Sequence, residues 1–465
     1  MSNLQTLSKG RRPVPTADFI PKIGASLQEI RELATRLCRD YLTGRWKTIS
    51  PADIVVKKIN GGLSNFLYYV SLPTTDNNSQ FIQQHSTAPQ GSEDYLQLNG
   101  DCSELINNDC IHNNNNEDQL PLVTRRQSNS EPNEVLLRIY GEVHGEEDDA
   151  LGGIITESVV FALLSERNFG PKLYGIFPGG RLEQYLNARA LLTRELAVPK
   201  ISEKIAEKMA EIHTLDIPMS KEPEWLWNCM ERWLKTSNSI LTRTDWGDKT
   251  PLVDMVRSFD FRKEKAWLQS VINEGNYNVV FCHNDMQEGN ILYSNSNNSD
   301  KTSGASICLD NAEDVLQTQY TQIRNDEEPD LQIIDFEYCA YNYRAFDLAN
   351  HFIEWTFDYS NPAAPYYYHH KQHYPSLEQR QRFYSAYLRK FHEDLPGYTP
   401  TAQELSDMDA EVRVFSMFSH LFWSVWSVVM TLATIEFGYW EYGVARIREY
   451  QQLKELYERE SAKKS

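Results

Sequence analysis

Two polar segments, each beside a largely apolar run, constrain the fold of this chain more than any other feature of its sequence. The first, residues 283–290 with the sequence HNDMQEGN, lies between the apolar runs 279–281 and 291–293. The second, 335–337 with the sequence DFE, follows the run 331–334. Short apolar runs bounded by polar residues are typical of buried strands. The sequence therefore predicts two polar loops held at the ends of strands.

The spacing of the first segment, His-x-Asp-x4-Asn, is that of a kinase catalytic loop, with Asn284 in place of the usual arginine. At this spacing Asp285 is the candidate general base and Asn290 a candidate magnesium ligand. Asp335 stands where kinases place a metal-binding aspartate, and Glu337 adds a carboxylate in place of the following glycine. Either segment alone also occurs in ordinary turns. Both in this order, each beside a strand, indicate phosphoryl transfer.

A glycine-rich turn is the first candidate for holding phosphates. It falls between two predicted strands, 54–59 and 66–72. Glycine lets the backbone approach a phosphate closely, and serine and asparagine side chains can donate hydrogen bonds to it. A plain hairpin turn would have the same composition, so both interpretations stay open at this point. The residues concerned are Gly61, Gly62, Ser64 and Asn65.

A second phosphate candidate is Arg138, which lies in the strand-like run 135–140 where kinases carry a phosphate-binding lysine. A helix is predicted over 154–167, with Val159 on its buried face. Glu157 on this helix is the candidate ion-pair partner of Arg138. The alternative interpretation is a surface ion pair, which is the more common situation for an arginine near a carboxylate.

Aromatic residues are concentrated after Asp335 and again near the C-terminal end of the chain. Trp423 and Trp426 lie three apart on a predicted helix and therefore share one face. A quaternary ammonium cannot donate an N–H hydrogen bond, so aromatic faces and nearby carboxylates such as Glu354 would bind it. An ordinary aromatic core has the same pattern and is the alternative. The remaining aromatic candidates are Tyr338, Tyr341, Tyr343, Trp355, Tyr359, Phe437, Tyr439 and Tyr442.

The pattern along the chain divides it into a small lobe with a sheet and a larger, mostly helical lobe, which gives an α+β fold class. A tail over 1–25 contains three prolines and little periodicity, which predicts a flexible segment. The first lobe spans 26–187 and includes a low-complexity insertion over 73–133, predicted to be disordered. The second lobe spans 188–465 and includes a polar insertion over 294–329.

The net charge of −19 argues against nucleic acid as a partner, because phosphate backbones require a basic surface, and it favours a small cationic substrate. The seven cysteines include no Cys-x-x-Cys pair and the N-terminus has no apolar run, so a reduced, cytoplasmic protein is expected. The run 414–435 is long and apolar enough to cross a bilayer. Because His420 and several serines and threonines interrupt it, it predicts a buried helix rather than membrane insertion.

Long motifs in this chain resemble those of the choline/ethanolamine kinases and, within that family, those of the choline kinase type. The two most specific motifs are FCHNDMQEGNIL over 281–292 and IDFEYCAYNYRAFDLANHFIEW over 334–355. Further agreement is found in GPKLYGIFPGGRLEQY over 170–185, VLLRIYG over 135–141, GGLSN over 61–65 and IEFGY over 435–439. The resemblance extends from about residue 26 to the end, apart from the two insertions.

This resemblance implies a two-lobed, protein-kinase-like fold, a homodimer, and transfer of the γ-phosphoryl group of ATP to the hydroxyl of choline, with Mg²⁺ as the metal. The product would be phosphocholine, formed in the first step of phosphatidylcholine synthesis. By matching position, Asp285 is the catalytic base, and the metal ligands are Asn290, Asp335 and Glu337.

The resemblance also implies the residues that bind the two substrates. The ATP-binding residues by position are Gly61, Gly62, Ser64, Asn65, Arg138, Glu157, Gln184, Leu186 and Gln287, of which Gln184 and Leu186 lie at the adenine hinge. Choline would lie beside Glu354 and among six aromatic residues, which we call the aromatic cluster. They are Tyr338, Tyr359, Trp423, Trp426, Phe437 and Tyr442.

Three alternative functions stay open. The first is an ethanolamine kinase, or a kinase that accepts both amines. The QEGN loop over 287–290 and the paired tryptophans favour choline, since a primary ammonium would prefer hydrogen-bonding groups. An antibiotic or sugar kinase of the same fold should lack the aromatic residues. A non-catalytic pseudokinase that binds choline is the third alternative, and the intact Asp285, Asn290 and Asp335 argue against it.

Overall fold

The computed structural model describes residues 25–59, 65–73, 131–140, 158–294, 328–433 and 435–463. Nearly all of the predicted tail and of the two predicted insertions lies outside these ranges. Four candidate site residues also lie outside them, namely Gly61, Gly62, Ser64 and Glu157.

One antiparallel sheet organises the N-terminal part. Its strands are β1 (Val55–Ile59), β2 (Asn65–Ser71), β3 (Glu134–Tyr140), β4 (Leu173–Phe177) and β5 (Gly180–Gln184). Their order across the sheet is β1-β2-β3-β5-β4. The insertion over 73–133 therefore connects β2 and β3, which are hydrogen-bonded neighbours in the sheet.

Two helices accompany this sheet. α1 (Leu27–Tyr41) begins at a capping box formed by Ser26 and Glu29, which satisfies backbone N–H groups of its first turn. α2 is described over 158–166. The prediction that Val159 faces the core is wrong, because its side chain is 50% exposed while Val160 and Leu164, one turn apart, are buried. The buried stripe of α2 is thus displaced by one residue from the predicted one.

The chain after Gln184 is mostly helical. Its helices are α3 (Pro199–His213), α4 (Trp225–Leu241), α5 (Thr250–Ser258), α6 (Phe261–Asn273), α7 (Arg344–Glu354), α8 (Leu377–Phe391), α9 (Ala402–Met430) and α10 (Tyr439–Ser461). Its short strands are β6 (Arg189–Ala190), β7 (Val279–Cys282), β8 (Ile291–Ser294), β9 (Asp330–Ile333), β10 (Ala340–Tyr343), β11 (Phe357–Asp358) and β12 (Tyr368–His369). A small sheet followed by a mostly helical remainder is the α+β arrangement that the sequence predicts.

The longest helix, α9, lies in the middle of the helical part. It begins at a capping box formed by Thr401 and Glu404. In its most apolar stretch, which is long enough to cross a membrane, 94% of the residues are buried inside the protein. The interpretation of the run 414–435 as a buried helix is confirmed, although the helix ends at Met430. Its burial positions Trp423 and Trp426 towards α7 and α10, which carry other candidate site residues.

Candidate active site

The segment 283–290 connects two strands, as predicted. β7 precedes it and pairs with β10, and β8 follows it and pairs with β9, the strand that leads to Asp335. Asn284 (φ 67°) and Asp335 (φ 64°) both adopt the left-handed conformation, which Asn and Asp tolerate better than other non-glycine residues. These two turns direct both polar segments to one site.

A buried carboxylate that the sequence reasoning missed, Asp347 of α7, fixes the backbone of this loop. Its Oδ2 accepts the backbone N–H of His283 at 2.8 Å, and its Oδ1 accepts that of Asn284 at 2.9 Å. His213 Nε2 donates to the same Oδ2 at 3.0 Å. Burial raises the pKa of Asp347, but His213 and His283 outweigh this and hold the pKa below its usual value. The available signal was an aspartate placed directly between two large apolar residues, Phe346 and Leu348.

Asp285 and Asn290, the predicted base and metal ligand, are hydrogen-bonded to each other. Asn290 Nδ2 donates to Asp285 Oδ2 at 3.0 Å and to the backbone oxygen of Asp285 at 2.9 Å. Burial raises the pKa of Asp285 well above its usual value, and three nearby carboxylates raise it further. These are Glu354, Asp335 and Glu337. A raised pKa strengthens a carboxylate as a proton acceptor, which is what a general base requires.

Arg138, in β3, joins the sheet to the second polar segment. Its Nε donates to Glu183 Oε1 at 2.9 Å, and its Nη1 donates to Asp335 Oδ1 at 3.0 Å. The Arg138 side chain is 5% exposed, so this cation is held in a low-dielectric setting where it interacts strongly with anions. A guanidinium fixed beside a candidate metal ligand is suited to contact phosphate oxygens.

Glu183, which the sequence reasoning also missed, orients Arg138. Its second oxygen accepts from Arg181 Nε at 3.3 Å. Burial raises the pKa of Glu183, but the charges of Arg138 and Arg181 hold it below its usual value. Arg181 and Glu183 lie two apart in β5 and so share one face of the sheet, which was the available signal. Because Glu157 lies outside the described residues, its predicted pairing with Arg138 stays a prediction.

The last residue of the predicted phosphate loop lies beside the second polar segment, 335–337. Asn65, the first residue of β2, donates from Nδ2 to Glu337 Oε2 at 3.0 Å. Glu337 lies in the short 3₁₀ turn Phe336–Tyr338, directly after Asp335. The structure therefore brings together Asn65, Arg138, Asp335 and Glu337.

The donors at this point fit magnesium in chemical type. Mg²⁺ prefers hard oxygen ligands, above all carboxylates, and Asp335 and Glu337 supply these beside the amide of Asn290. The negative charges of Asp335 and Glu337 also raise the pKa of Asp285, which shows that the cluster is repulsive. A divalent cation would relieve that repulsion.

The three remaining nucleotide-side candidates are Gln184, Leu186 and Gln287. Gln184, at the end of β5, accepts the backbone N–H of Lys172 on Oε1 at 3.2 Å. Leu186 follows in a partly buried loop, and its backbone oxygen accepts from Ala188 at 2.8 Å. Gln287 is partly exposed in the catalytic-loop segment. Their contacts to a nucleotide stay predictions.

The structure brings the aromatic cluster together as a continuous group. The ring centroids of Trp423 and Trp426 are 5.3 Å apart and nearly perpendicular, and Tyr338 lies 5.5 Å from Trp423. Tyr442 lies 6.2 Å from Trp426 and 5.8 Å from Phe437. Phe437 is in turn 6.2 Å from Tyr359. The sequence reasoning missed Tyr367, whose ring lies 5.6 Å from the rings of both Phe437 and Tyr442.

Glu354, the predicted carboxylate of the choline pocket, is buried at the end of α7 beside the aromatic cluster. Tyr359 donates its hydroxyl to Glu354 Oε2 at 2.8 Å. Arg446 of α10, which the sequence reasoning missed, donates from Nη2 to Glu354 Oε1 and to the hydroxyl oxygen of Tyr442. Both carboxylate oxygens of Glu354 are therefore engaged.

A second buried carboxylate lies near Glu354. Glu288, within the catalytic-loop segment, accepts from Thr193 Oγ1 at 2.9 Å. Burial raises the pKa of Glu288 to about 8, and the charge of Glu354 adds to the effect. A raised pKa favours the protonated form of Glu288, which would limit the negative charge around the loop.

Tyr338 connects the aromatic cluster to the catalytic loop. Its backbone oxygen accepts from Asn284 Nδ2 at 2.9 Å, one residue before Asp285. Its hydroxyl oxygen accepts from Trp426 Nε1 at 3.2 Å. Hydrogen bonds of Tyr338 thus connect the loop that carries Asp285, the candidate base, to the aromatic cluster.

Comparison with known proteins shows that most of the chain is similar to choline/ethanolamine kinases. The family model described as choline/ethanolamine kinase matches residues 111–451. A human choline/ethanolamine kinase is 34% identical over 427 residues, which cover 90% of this chain and 85% of the human protein. Choline kinase A2 of Caenorhabditis elegans is 34% identical over 437 residues, covering 93% of this chain and 87% of the worm protein.

A solved structure extends the likeness to the fold. The crystal structure of choline kinase from Cryptosporidium parvum matches with a TM-score of 0.62 at 23% identity, covering 92% of this chain and 97% of the other. The prediction of a protein-kinase-like fold, with a small sheet and a larger helical part, is confirmed.

Proposed function

The chain belongs to the choline/ethanolamine kinase family, and on that premise we propose that it phosphorylates choline in preference to ethanolamine. The γ-phosphoryl group of ATP would pass to the choline hydroxyl and give phosphocholine. The observation that carries this proposal is the position of Tyr338, which joins the loop around Asp285 to the aromatic cluster. The site that activates a hydroxyl and the site that holds a cation are therefore adjacent.

The preference for choline rests on the chemistry of the aromatic cluster. A trimethylammonium group is bulky, apolar at its surface and positively charged, so aromatic faces bind it well. A primary ammonium has three N–H donors that require acceptors, and aromatic faces satisfy them poorly. Glu354 is a carboxylate acceptor in contact with the cluster, and both of its oxygens already accept hydrogen bonds.

In the reaction, Asp285 accepts the proton of the choline hydroxyl as the hydroxyl oxygen bonds to the γ-phosphorus. The bond from that phosphorus to the β,γ-bridging oxygen of ATP breaks, and ADP leaves. Asn290 holds the Asp285 carboxylate, and Asp347 holds the backbone before it, so the proton acceptor is oriented before the substrate arrives. Bringing the choline cation next to this cluster of carboxylates also stabilises their negative charges.

The phosphate side would be served by Arg138 and the metal candidates. Magnesium, when bound through Asp335, Glu337 and Asn290, would neutralise charge on the phosphate oxygens. Arg138, which is held by Glu183, would contact the same oxygens. Gly61, Gly62, Ser64 and Asn65 would contact them as well. The assignment of these residues to ATP is part of the proposal.

A cytoplasmic location and a homodimer complete the proposal. The homodimer rests on the family resemblance alone, and the cytoplasmic location rests on the cysteine content. The reaction would then supply phosphocholine for phosphatidylcholine synthesis.

The decisive test is ATP consumption by the purified protein with choline, with ethanolamine and with no acceptor. We expect kcat/KM for choline to exceed that for ethanolamine, and little turnover without an acceptor. A clear preference for ethanolamine would overturn the choline assignment. Absence of phosphorylated product with either amine would instead favour a non-catalytic, choline-binding protein.

A further inference from the structure

Arg446 and Glu354 form a buried ion pair at the base of the aromatic cluster. Arg446 is fully buried and Glu354 is 3% exposed. Arg446 donates from Nη2 to Glu354 Oε1 and to the Tyr442 hydroxyl, and its guanidinium lies 4.3 Å from the ring centre of Phe357. Aromatic stacking and hydrogen bonds therefore hold Arg446 in one orientation.

This pair changes the charge that a substrate cation meets. A guanidinium stays protonated at every physiological pH, so Arg446 and Glu354 together are neutral. The lone pair of Glu354 Oε1 that faces Arg446 is also unavailable to an N–H donor. A carboxylate alone would attract any ammonium, whereas a neutralised carboxylate leaves recognition to the aromatic faces.

We propose that Arg446 is a specificity-determining positioning residue: by neutralising Glu354 it makes the site select a methylated ammonium over a primary one. This inference rests on the proposed function, because it assumes that the cation lies beside Glu354 and the aromatic cluster. It assigns the preference to a residue that itself does not touch the substrate.

Removing each charge separately should affect the kinetics in a different way. Arg446→Met keeps an unbranched side chain of similar length and leaves Glu354 without its cation. The freed carboxylate can accept an N–H bond from ethanolamine, so the ratio of kcat/KM for choline to that for ethanolamine should fall on the order of tenfold. Glu354→Gln leaves Arg446 as an unpaired cation, which should raise the KM for both amines strongly.

The double variant Glu354→Gln/Arg446→Met completes the cycle. It has no net charge at this position, as in the wild-type protein. Choline kcat/KM in the double variant should recover most of what Glu354→Gln alone loses. If the double variant is as impaired with choline as Glu354→Gln alone, the neutralisation argument is wrong. This comparison does not require the Arg446→Met single variant to fold.

A matched control is Arg380→Met. Arg380 also pairs with a mostly buried carboxylate of a neighbouring helix, Asp409, at 2.7 Å, and this pair is not part of the aromatic cluster. Its loss should leave the choline to ethanolamine ratio within about twofold of the wild-type value. An equal shift in Arg380→Met and Arg446→Met would point to general destabilisation.

The wild-type protein provides a test that does not depend on any variant. N,N-dimethylethanolamine keeps one N–H donor and most of the bulk of choline. If Arg446 neutralises Glu354, choline should have the higher kcat/KM of the two. A dimethyl substrate equal to or better than choline, with ethanolamine still poor, would overturn this inference and leave the choline kinase assignment standing. Failure with every amine would overturn the assignment itself.

Discussion

The carboxylate of Asp347 accepts the backbone N–H of His283 at 2.8 Å, and this contact fixes the loop that carries Asp285. The second oxygen of Asp347 accepts the next backbone N–H, that of Asn284. Asp347 is wholly buried and comes from a helix 64 residues further along the chain. The loop that carries Asp285 is therefore held by a carboxylate that is distant in sequence.

Replacing Asp347 with Asn should lower kcat more than it changes KM. The amide has only one acceptor oxygen, so one of the two backbone N–H groups loses its partner and Asp285 shifts. A displacement of about 1 Å near the reacting atoms costs on the order of 10²-fold in rate. Steady-state kinetics with choline would show this split. Asp409→Asn, in another buried ion pair, serves as the control, and an equal loss of kcat in both variants would refute a specific role for Asp347.

Asp285→Ala should abolish turnover and leave the protein folded. Asp285 lies in a repulsive group with Asp335, Glu337 and Glu354, and burial disfavours its charge. Removing its carboxylate should therefore keep or raise the free energy of unfolding, as is common at catalytic sites. Urea unfolding and phosphocholine formation would be measured on the same sample. Activity near the wild-type value would remove Asp285 from the role of base.

Arg138→Lys should raise the KM for ATP and lower kcat, on the order of tenfold or more. A lysine keeps the charge but cannot bridge Glu183 and Asp335 at once, because it lacks the planar fork of donors. Arg181→Lys is the matched control, since Arg181 donates to Oε2 of Glu183 whereas Arg138 donates to Oε1. We expect the control to change the KM for ATP less. A larger effect in the control would indicate that Glu183, rather than contact with phosphate, explains the loss.

Asp285, Asn290 and Asp335 could be identified as candidates from the sequence because each belongs to a short motif. Each lies within a few residues of a recognisable strand, and a short pattern carries that information. Glu183, Asp347 and Arg446 were missed because their partners lie far away in sequence. Arg446 and Glu354, for example, are 92 residues apart. No periodicity or local motif records such a contact.

The aromatic cluster could be predicted from the sequence only in part. Its members could be enumerated from composition, but a core and a binding site have the same aromatic content. The contacts that distinguish them are tertiary, such as the hydrogen bond from Trp426 Nε1 to the Tyr338 hydroxyl. The sequence also predicted the helix α2 but wrongly assigned Val159 to its buried face. Which face of a helix is buried depends on how the helix packs against the core.

Trp426→Leu should raise the KM for choline about tenfold while changing that for ethanolamine less. The indole is the best aromatic partner for a quaternary ammonium, and leucine fills part of its volume without a π face. Trp227→Leu is a matched control, because both tryptophans are 9% exposed but Trp227 stacks on Phe418 in the core, at 4.1 Å. Thermal unfolding of both variants should be similarly affected. An unchanged KM for choline in Trp426→Leu would assign Trp426 to the core alone.

His351 should make the protein less stable as pH falls below neutrality. Its Nδ1–H donates to the backbone oxygen of Met286 at 2.8 Å, and its Nε2 accepts from Trp355 Nε1 at 3.2 Å, so it is held neutral. Burial lowers the pKa of His351 to about 4. In the unfolded chain its pKa is near the usual value of about 6.5. Between these two values the unfolded state binds more protons, so stability falls as pH decreases from about 6.5 to 4.

The size of this effect can be isolated with His351→Gln, which keeps an amide donor but does not titrate. The wild-type protein should lose roughly 2–4 kcal/mol more than the variant between pH 7 and pH 4. Urea unfolding at a series of pH values, in the absence of substrates, measures both curves. Parallel curves for the two proteins would show that His351 does not contribute, and that the remaining acid sensitivity comes from other groups such as His420, whose pKa burial also lowers.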